Sequence, residues 1–333
     1  MTVDRAALER LHALPCLPLA LAPTPVEDLS RLRNALDPST GPGPVARLLV
    51  KRDDAIPFGF GGNKVRKLRI VAAQALAEGA DTLITSGGIQ SNHARATAAV
   101  SARMGLACVL VVNGTPPAKA TANALLDRLL GAEVRYVGSR EARAPGMEDA
   151  ARELRKKGRR PFVIPLGAST PLGAAAYALA VAELLAQVAP PDQIVLSTSS
   201  GGTQAGIIAG CRLHGLRTRV IGISADDPSA AIAKEVGRIL SGLEQLLGSP
   251  QGTLTDAPIE IDDRFVGDGY GVPTAASTEA IELCARREVL FLDPTYTAKA
   301  MAGLFAKVRG NELGEGTTLF WHTGGQVALF AEC

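Results

Sequence analysis

Residues 193–214 read QIVLSTSSGGTQAGIIAGCRLH, and this stretch decides the fold. Its beginning, residues 193–197, is a short apolar run with β-branched side chains, which is typical of a buried strand. The residues from Gln204 onward have the composition of a helix. Glycines and hydroxyl side chains, residues 197–203, join the two elements. Because ligands of open α/β sheets bind where strands end and helices begin, the stretch predicts a strand–helix unit and a ligand site.

The same alternation recurs outward from this stretch in both directions. Further strand-like runs lie at residues 47–52, 82–86, 108–113, 133–137, 162–166, 219–224, 289–292 and 318–322. Helix-like segments lie at residues 64–78, 92–104, 121–130, 171–187 and 274–287, and residues 141–146 and 247–256 resemble loops. Many runs are apolar on both faces, as in a parallel sheet covered by helices, and 333 residues exceed what one core usually serves. The pattern predicts an α/β protein with two domains.

The composition excludes several classes of partner. Hydrophobic residues make up 47% and charged residues 20% of the chain, with a formal net charge of +2. This balance gives no basic face for nucleic acid, and no stretch reaches the roughly 20 apolar residues of a membrane helix. The five cysteines include no CxxC pair, so we expect reduced thiols, and the apolar residues 13–23 are broken by prolines, unlike a signal peptide. We expect a cytoplasmic protein that acts on a small molecule, without metal, nucleic-acid or membrane partners.

Residues 59–64 read GFGGNK and lead into a predicted helix, which places Lys64 in its first turn. A cation there opposes the helix dipole, so its amine loses a proton more readily, as a Schiff-base lysine requires. A phosphate-binding P-loop is excluded, because Asn63 separates the last glycine from the lysine and Val65 replaces the serine or threonine. A turn followed by a surface lysine is the alternative that this segment leaves open.

Residues 197–203 combine backbone N–H groups and hydroxyls at the start of a predicted helix, which suits a phosphate group. The rival interpretation is the dinucleotide fingerprint GxGxxG. Gly201 and Gly206 fit its ends, but Thr203 occupies its middle glycine. Two aspartates after the next strand, at positions 226 and 227, keep a NAD-dependent dehydrogenase open as an alternative.

Residues 86–93, SGGIQSNH, form another predicted strand-to-helix junction. Hydroxyl, amide and backbone donors at a helix N-terminus suit a substrate carboxylate. The alternative is a simple capped helix with Ser91 or Asn92 as the cap, and His93 by itself is more typical of a structural hydrogen-bonded residue.

Three more polar segments follow, at residues 267–271, 293–297 and 322–325. The first two contain Tyr270 and Tyr296, although tyrosines at such positions are as often packing residues as catalysts. Any one of these junctions is compatible with a turn. Their repeated placement where strands and helices meet is what predicts an active site.

Taken together and in order, these segments resemble one family of enzymes. The matching motifs are GGNKVRKL at 61–68, QSN at 90–92, GGT at 201–203, GYGVP at 269–273, DPTYT at 293–297 and HTGG at 322–325. They resemble the D-cysteine desulfhydrases and 1-aminocyclopropane-1-carboxylate (ACC) deaminases, which are fold-type II pyridoxal-phosphate (PLP) enzymes. The resemblance implies two open twisted, mainly parallel sheets flanked by helices, with PLP in the cleft between the domains. It also implies a homodimer, a large domain from residues 1–66 and 168–333, and a small domain from residues 67–167.

The resemblance assigns a role to each matched residue. The implied catalytic residues are Lys64, Ser91, Tyr270 and Tyr296. The implied cofactor-binding residues are Lys64, Asn92, Ser200, Gly201, Gly202, Thr203 and Thr297. The implied substrate-binding residues are Ser91, Asn92, His93, Tyr296 and Thr323. In this scheme Lys64 carries PLP as a Schiff base, Asn92 faces its phenolic oxygen and Thr297 faces its pyridine nitrogen.

Two positions separate the branches of the family. This chain has Thr297 and Thr323, which resembles the pattern of the desulfhydrases. The pattern of the deaminases has Glu at the first position and Leu at the second. A hydroxyl leaves the pyridine nitrogen closer to neutral, which suffices when a thiolate is the leaving group. The resemblance therefore implies β-elimination from D-cysteine to pyruvate, ammonia and hydrogen sulfide. Residues 167–171, GASTP, depart from the family pattern, and ACC deamination, elimination from L-cysteate or another β-substituted alanine, and non-catalytic PLP binding remain alternatives.

Overall fold

A computed structural model describes residues 2–19, 21, 23–36 and 45–331 of the chain. Within these residues, ten strands form two sheets. The strands are β1 (Val26–Asp28), β2 (Val45–Arg52), β3 (Thr82–Gly88), β4 (Ala107–Asn113), β5 (Glu133–Val137), β6 (Pro161–Val163), β7 (Gln193–Thr198), β8 (Arg219–Ser224), β9 (Glu260–Asp262) and β10 (Gly316–His322).

Eleven α-helices accompany the strands in the described part of the chain. They are α1 (Arg5–His12), α2 (Ser30–Leu36), α3 (Asn63–Ala77), α4 (Asn92–Met104), α5 (Ala122–Leu129), α6 (Arg143–Lys156), α7 (Pro171–Leu185), α8 (Gly202–Leu213), α9 (Ser229–Leu247), α10 (Ala275–Glu288) and α11 (Thr297–Arg309). Of the helices so described, none has both the length and the apolar character needed to cross a membrane.

The six-stranded sheet has the order β1-β2-β10-β7-β8-β9, and all its pairs are parallel except β1 with β2. Its central strand β7 is buried on both faces. Ile194 and Leu196 belong to the core under α7, α8 and α9, whereas Val195 belongs to the core under α2, α10 and α11. This alternation between two apolar layers explains why the strand has a continuous hydrophobic sequence.

The four-stranded sheet has the order β5-β4-β3-β6 and is entirely parallel. Helix α6 covers one face, where Met147 and Ala150 pack on Ile84, and α4 covers the other, where Ala98 packs near Leu110. The predicted α/β class with two mainly parallel sheets is confirmed. The strands of this smaller sheet all fall within residues 67–167 and those of the larger sheet all fall outside it, while the domain borders themselves stay a prediction.

Two predicted elements differ from the structure. Residues 289–292 form no strand, because Val289 adopts a left-handed conformation (φ 53°) as the C-cap of α10 and the chain then runs to α11 without a ladder partner. The predicted loop at residues 141–146 contains the start of α6 at Arg143. Cys16, Cys108, Cys211 and Cys284 are free thiols as predicted, and Cys333 lies outside the described residues.

Candidate active site

A cavity opens where the C-terminal ends of β3, β7 and β10 approach the start of α3. It is lined by Asn63, Lys64, Gly87, Gly88, Ser91, Asn92, His93, Asn113, Arg140, Arg143, Leu166, Gly167, residues 197–203, Asp226, Tyr270, Tyr296, Thr323 and Gly324. The structure thus brings together every predicted site residue except Thr297. Residues contributed by both sheets line the same cavity, as expected for a ligand site at strand ends.

The glycine loop before α3 places Lys64 in this cavity. Gly61 and Gly62 have φ values of 69° and 94°, and a Cβ on Gly61 would lie 2.6 Å from the Asp54 carbonyl oxygen. The Asn63 amide donates to the Thr323 carbonyl at 2.9 Å, which ties the start of α3 to the end of β10. Only glycine fits this close approach, so the loop fixes the position from which the lysine projects.

The Lys64 amine is half-buried and has no carboxylate within ion-pair distance in the part of the chain that the structure describes. Burial lowers the pKa of its amine to about 8. The position of Lys64 in the first turn of a helix predicted a lowered pKa through the helix dipole. In the structure, the cause is the burial of the amine away from water. About a tenth of the amine is therefore neutral at pH 7, far more than for an ordinary lysine, as a nucleophilic lysine requires.

The start of α4 forms the opposite wall of the cavity. Ser91 caps this helix, and its Oγ accepts a hydrogen bond from the Ala94 amide at 3.2 Å. A Cβ on Gly87 would lie 2.4 Å from the Ser91 side chain, so the strand end must be glycine for the cap to fit. The N–H groups and hydroxyl at this terminus suit an anionic group such as a carboxylate.

Asn92 lies beside this cap, and its amide orientation is fixed by Asn123. The Asn92 Oδ1 accepts from Asn123 Nδ2 at 2.9 Å, which leaves the Asn92 Nδ2 as a donor for a ligand in the cavity. Asn123 is fully buried and is itself held by the Gln90 carbonyl and side chain at 2.9 Å. Asn123 was not predicted as a site residue, because nothing in its local pattern connects it with a helix some thirty residues earlier.

The loop at residues 199–203 forms a cradle at the start of α8. Gly201 is left-handed (φ 75°), and a Cβ on Gly202 would lie 2.7 Å from the Ser169 hydroxyl and 2.9 Å from Lys67 Nζ. The buried hydroxyls of Ser197 and Thr198 have no hydrogen-bond partner among the described residues. Unpaired donors at a helix N-terminus provide the environment that a phosphate group needs.

Lys67 lies behind this cradle and was not predicted as a site residue. Its ammonium is completely buried and contacts the Gly167 carbonyl at 3.2 Å and the Ser169 hydroxyl at 3.3 Å, and Ser169 in turn contacts Ser200 at 2.7 Å. Within the described ranges, no carboxylate lies close enough to pair with it. Burial, followed by the charge of Lys64, holds its pKa well below the ordinary value. Its position three residues after Lys64, on the same helix face, was the signal available in the sequence.

Tyr270 and Tyr296 meet across the mouth of the cavity. Their hydroxyls lie 2.7 Å apart and their rings pack edge to face with centroids separated by 5.8 Å. Burial raises the pKa of Tyr270, and burial together with Tyr270 raises the pKa of Tyr296 well above its ordinary value. Both hydroxyls are therefore protonated at neutral pH and form a pair of proton donors.

His93 is buried, and its Nε2 lies 2.8 Å from the Thr85 hydroxyl. Burial, with smaller contributions from Lys64 and Lys67, holds its pKa well below the ordinary value, so the ring is neutral. Its Nδ1 has no hydrogen-bond partner among the described residues.

The two threonines that distinguish the branches of the family occupy different environments. Thr323 lines the cavity, but Thr297 is fully buried outside its lining. The Thr297 hydroxyl donates to Asp293 Oδ1 at 2.7 Å and accepts from the Asp293 amide at 2.8 Å. As the first residue of α11, Thr297 turns its side chain back to the polar groups at that helix start. Thr297 therefore lies outside the cavity lining, and its contact with a pyridine nitrogen stays a prediction.

Comparison with known proteins identifies the class to which this site belongs. The family model described as "Pyridoxal-phosphate dependent enzyme" matches residues 17–324. The chain therefore belongs to the pyridoxal-phosphate dependent enzymes. This assignment leaves no role for a dinucleotide fingerprint at residues 201–206, and Asp226 instead accepts a hydrogen bond from Ser199 at 3.0 Å.

Individual relatives confirm the family that the motifs predicted. The D-cysteine desulfhydrase of Salmonella choleraesuis (strain SC-B67) is 38% identical over 335 residues, which cover 97% of this chain and 98% of the relative. The D-cysteine desulfhydrase of Klebsiella pneumoniae (strain 342) is 37% identical over 334 residues and 98% of each chain. A crystal structure described as an ACC deaminase homologue has a TM-score of 0.89 and 32% identity, and the match covers 99% of this chain and 97% of that one.

The residues of the cavity fit PLP. The Lys64 amine suits its aldehyde, the Asn92 Nδ2 is a donor for its phenolic oxygen, and the start of α8 suits its phosphate. The uncompensated charge of Lys67 and the unpaired Ser197 and Thr198 hydroxyls add to the phosphate cradle. These groups need an anion with several acceptor oxygens, and a phosphate satisfies that need.

Proposed function

We propose that the protein catalyses β-elimination from a small amino acid, with D-cysteine as substrate and pyruvate, ammonia and hydrogen sulfide as products. The observation that carries this proposal is the convergence of the Lys64 amine, the start of α4 and the Tyr270–Tyr296 pair on one cavity. The full-length likeness to two D-cysteine desulfhydrases supports the choice of substrate.

Lys64 is the proposed covalent anchor and the proposed base. When bound, PLP supplies an electron sink for the carbanion that forms at the substrate Cα. With a pKa of about 8, the free Lys64 amine would be able to accept the Cα proton near neutral pH. The tyrosines are poorer bases because the pKa of each is raised.

Two further parts of the site position the reactants. The Ser91 cap and the N–H groups at the start of α4 are proposed to hold the substrate carboxylate. Asn92 and the loop from Ser200 to Thr203, backed by Lys67, are proposed to orient the cofactor. His93 is neutral and supports this wall without adding charge beside the carboxylate.

The tyrosine pair is proposed to protonate the leaving group. A thiolate that departs from Cβ needs a proton, and the hydrogen-bonded hydroxyls of Tyr270 and Tyr296 supply one across the cavity from α4. Thr323, which lines the cavity, is proposed to contact the cofactor or substrate. The resemblance also supports a homodimer in the cytoplasm, which light scattering of the purified protein and fractionation of cells will test.

A panel of substrates tests this proposal. Holoenzyme is incubated with D-cysteine, L-cysteine, β-chloro-D-alanine and ACC, and keto acid, ammonia and sulfide are measured. We expect pyruvate, ammonia and sulfide in equal amounts from D-cysteine, loss of turnover in Lys64→Ala, and no change in Lys156→Ala, an exposed lysine on α6. Fast formation of 2-oxobutyrate from ACC would replace the desulfhydrase proposal with ACC deamination. No turnover of any compound would leave a non-catalytic PLP-binding protein.

A further inference from the structure

Two arginines near the start of α6, the helix that covers one face of the smaller sheet, reach the cavity. Arg140 and Arg143 both line the cavity, on the same side as Asp226 and the two tyrosines. The lining contains three basic side chains (Lys64, Arg140 and Arg143) and a single carboxylate, that of Asp226. This imbalance is not required for a substrate as small and weakly charged as cysteine.

The charge of Arg140 is already accounted for. Its guanidinium contacts the Asp226 carboxylate at 3.2 Å and lies 5.5 Å above the centre of the Tyr270 ring. The Asp226 side chain is buried, and the Ser199 hydroxyl donates at 3.0 Å to the same carboxylate oxygen that Arg140 contacts. Arg140 is thus fixed across the cleft by an ion pair and a cation–π contact.

Arg143 has no such partner. Its Nε donates to the Arg140 carbonyl at 3.0 Å, and the described residues place no carboxylate within ion-pair distance of its guanidinium. Burial and the adjacent charge of Arg140 lower its pKa, although Tyr270, Glu141 and Tyr296 oppose this change. Asp227, the other acidic residue on this side, has its pKa raised by burial and by Asp226, against the opposing charges of the two arginines. Apart from the Nε–H that bonds to Arg140, the guanidinium donors of Arg143 therefore have no partner among the described residues.

The other anionic groups that the site must bind have places of their own. The start of α8 and Lys67 suit the cofactor phosphate, and the start of α4 suits the substrate carboxylate. Arg143 lies instead near Tyr270 and Tyr296, where the leaving group departs in the proposed function. A guanidinium binds carboxylate, sulfonate or phosphate oxygens in pairs, and a neutral thiol offers it nothing comparable.

We propose that Arg143, backed by Arg140, forms a subsite for an anionic substituent at Cβ, so that alanine derivatives with a sulfonate in this position are substrates as well as, or in preference to, cysteine. This inference rests on the proposed function, because it names the leaving group of the same elimination. With cysteate, the Cα proton passes to the base and the Cβ–S bond breaks with its electron pair on sulfur. The products are sulfite and 2-aminoacrylate, and the latter takes up water to give pyruvate and ammonia.

The test compares an anionic and a neutral leaving group in the holoenzyme. Steady-state constants are measured for D- and L-cysteate, O-phosphoserine and β-chloroalanine in the wild type, Arg143→Gln and Arg143→Lys. We expect Arg143→Gln to lose at least tenfold more kcat/KM on cysteate than on β-chloroalanine, mainly through KM, and Arg143→Lys to recover part of the loss. Arg103→Gln, an exposed arginine at the end of α4, is the control and should match the wild type. A preference for O-phosphoserine over cysteate would support the subsite, but would show that it binds a phosphate group and not a sulfonate.

A binding measurement separates this subsite from the chemistry. Calorimetry with 3-sulfopropanoate, which lacks an amine, should show binding at least tenfold weaker in Arg143→Gln than in the wild type, whereas butanoate should not discriminate between them. Equal effects on anionic and neutral compounds, or no binding of the sulfonate by the wild type, would overturn the inference. If β-chloroalanine is turned over and cysteate is not, only the subsite fails. If neither is turned over, the proposed function fails with it.

Discussion

Arg66 and Lys67 are neighbours on α3, and both are nearly inaccessible to solvent, yet their surroundings differ. The Arg66 guanidinium contacts the carboxylates of Asp53 and Glu183, each at 2.8 Å. The Lys67 ammonium contacts a carbonyl and a hydroxyl at 3.2 and 3.3 Å, with no carboxylate among its described neighbours. The protein therefore supplies carboxylate counter-charges for Arg66 but none for Lys67.

The protein builds a complete polar cluster around Arg66. The second oxygen of Asp53 accepts from the Tyr177 hydroxyl at 2.6 Å and from the Trp321 indole at 2.8 Å. Glu183 also receives the Lys51 ammonium at 2.6 Å. These contacts join β2, α3, α7 and β10, so the cluster holds in place the helix that carries Lys64.

The presence or absence of a carboxylate partner distinguishes a buried structural cation from a ligand-binding one. A buried charge is costly unless it is paired, and a fold keeps an unpaired one only where something outside the chain supplies the counter-charge. Lys67 beside the Ser200 loop and Arg143 beside the tyrosines both meet this description. Arg66 does not, and its role is structural.

The largest effect is expected at the paired cation. Arg66→Met leaves Asp53 and Glu183 buried without their partner, so the free energy of unfolding of the apo-protein should fall by about 3–5 kcal/mol. Urea denaturation measures this loss. Arg155→Met, at an exposed position on α6, is the control and should change stability by no more than about 0.5 kcal/mol. A loss below about 1 kcal/mol at Arg66 would show that the cluster does not depend on this charge.

The unpaired cation should behave in the opposite way. Lys67→Met removes a buried charge that the protein does not neutralise, so the apo-protein should be at least as stable as the wild type. The variant should bind PLP at least about tenfold more weakly, because a charge-assisted contact to phosphate contributes about 1.5–3 kcal/mol. Pyridoxal, which has no phosphate, should bind equally well to both proteins. Lys156→Met is the exposed control, and an equal loss for pyridoxal would contradict a role for Lys67 in phosphate binding.

The rate at which PLP attaches to Lys64 should reveal the lowered pKa of its amine. Only the neutral amine attacks an aldehyde, so the rate at which PLP attaches to the apo-protein should rise about tenfold per pH unit and level off above about pH 8. An ordinary lysine would keep the rate rising beyond pH 10. Stopped-flow absorbance at a fixed concentration of PLP gives the profile. A rise that continues through pH 10 would contradict the depressed pKa.

The smallest effect concerns a neutral group. Asn123→Ala removes the hydrogen bonds that orient Asn92 and Gln90, so the affinity for pyridoxal should fall by about threefold to fivefold, in line with about 1 kcal/mol for a hydrogen bond. The visible absorption of the bound form should also shift, because the donor to the phenolic oxygen is no longer fixed. Gln74→Ala removes an exposed amide on α3 and serves as the control. An unchanged spectrum would remove Asn123 from the site.

The sequence allowed prediction of those elements whose ends carry their own signals. The helix Asn92–Met104 has the predicted bounds because Ser91 caps its start and Gly105 adopts the left-handed conformation at its end. The helix Ser229–Leu247 was absent from the prediction, although its buried side chains follow a helical period along one face. The strand at residues 289–292 was wrong because a left-handed Val289 cannot be recognised from an apolar run.

The site residues also fall into those that local sequence signals revealed and those that they did not. Residues in motifs, such as Lys64 and Tyr270, lie in the predicted cavity. Asn123 and Arg143 could not be found, because their relation to the cavity comes from how α5 and α6 pack on the smaller sheet. The role given to Thr297 stays a prediction, since a motif position does not reveal that its side chain turns back to Asp293.

The central claim is that Lys64, and neither of its buried neighbours, carries the cofactor. Sodium borohydride reduces an imine to a stable amine, so treatment of the holoenzyme followed by proteolysis and mass spectrometry identifies the modified lysine. Lys51 and Lys67 serve as internal controls, because both are buried and lie within the same part of the chain. We expect the pyridoxyl group on Lys64 and no label in the Lys64→Ala variant. Label on Lys67, or a protein that takes up no PLP, would contradict it.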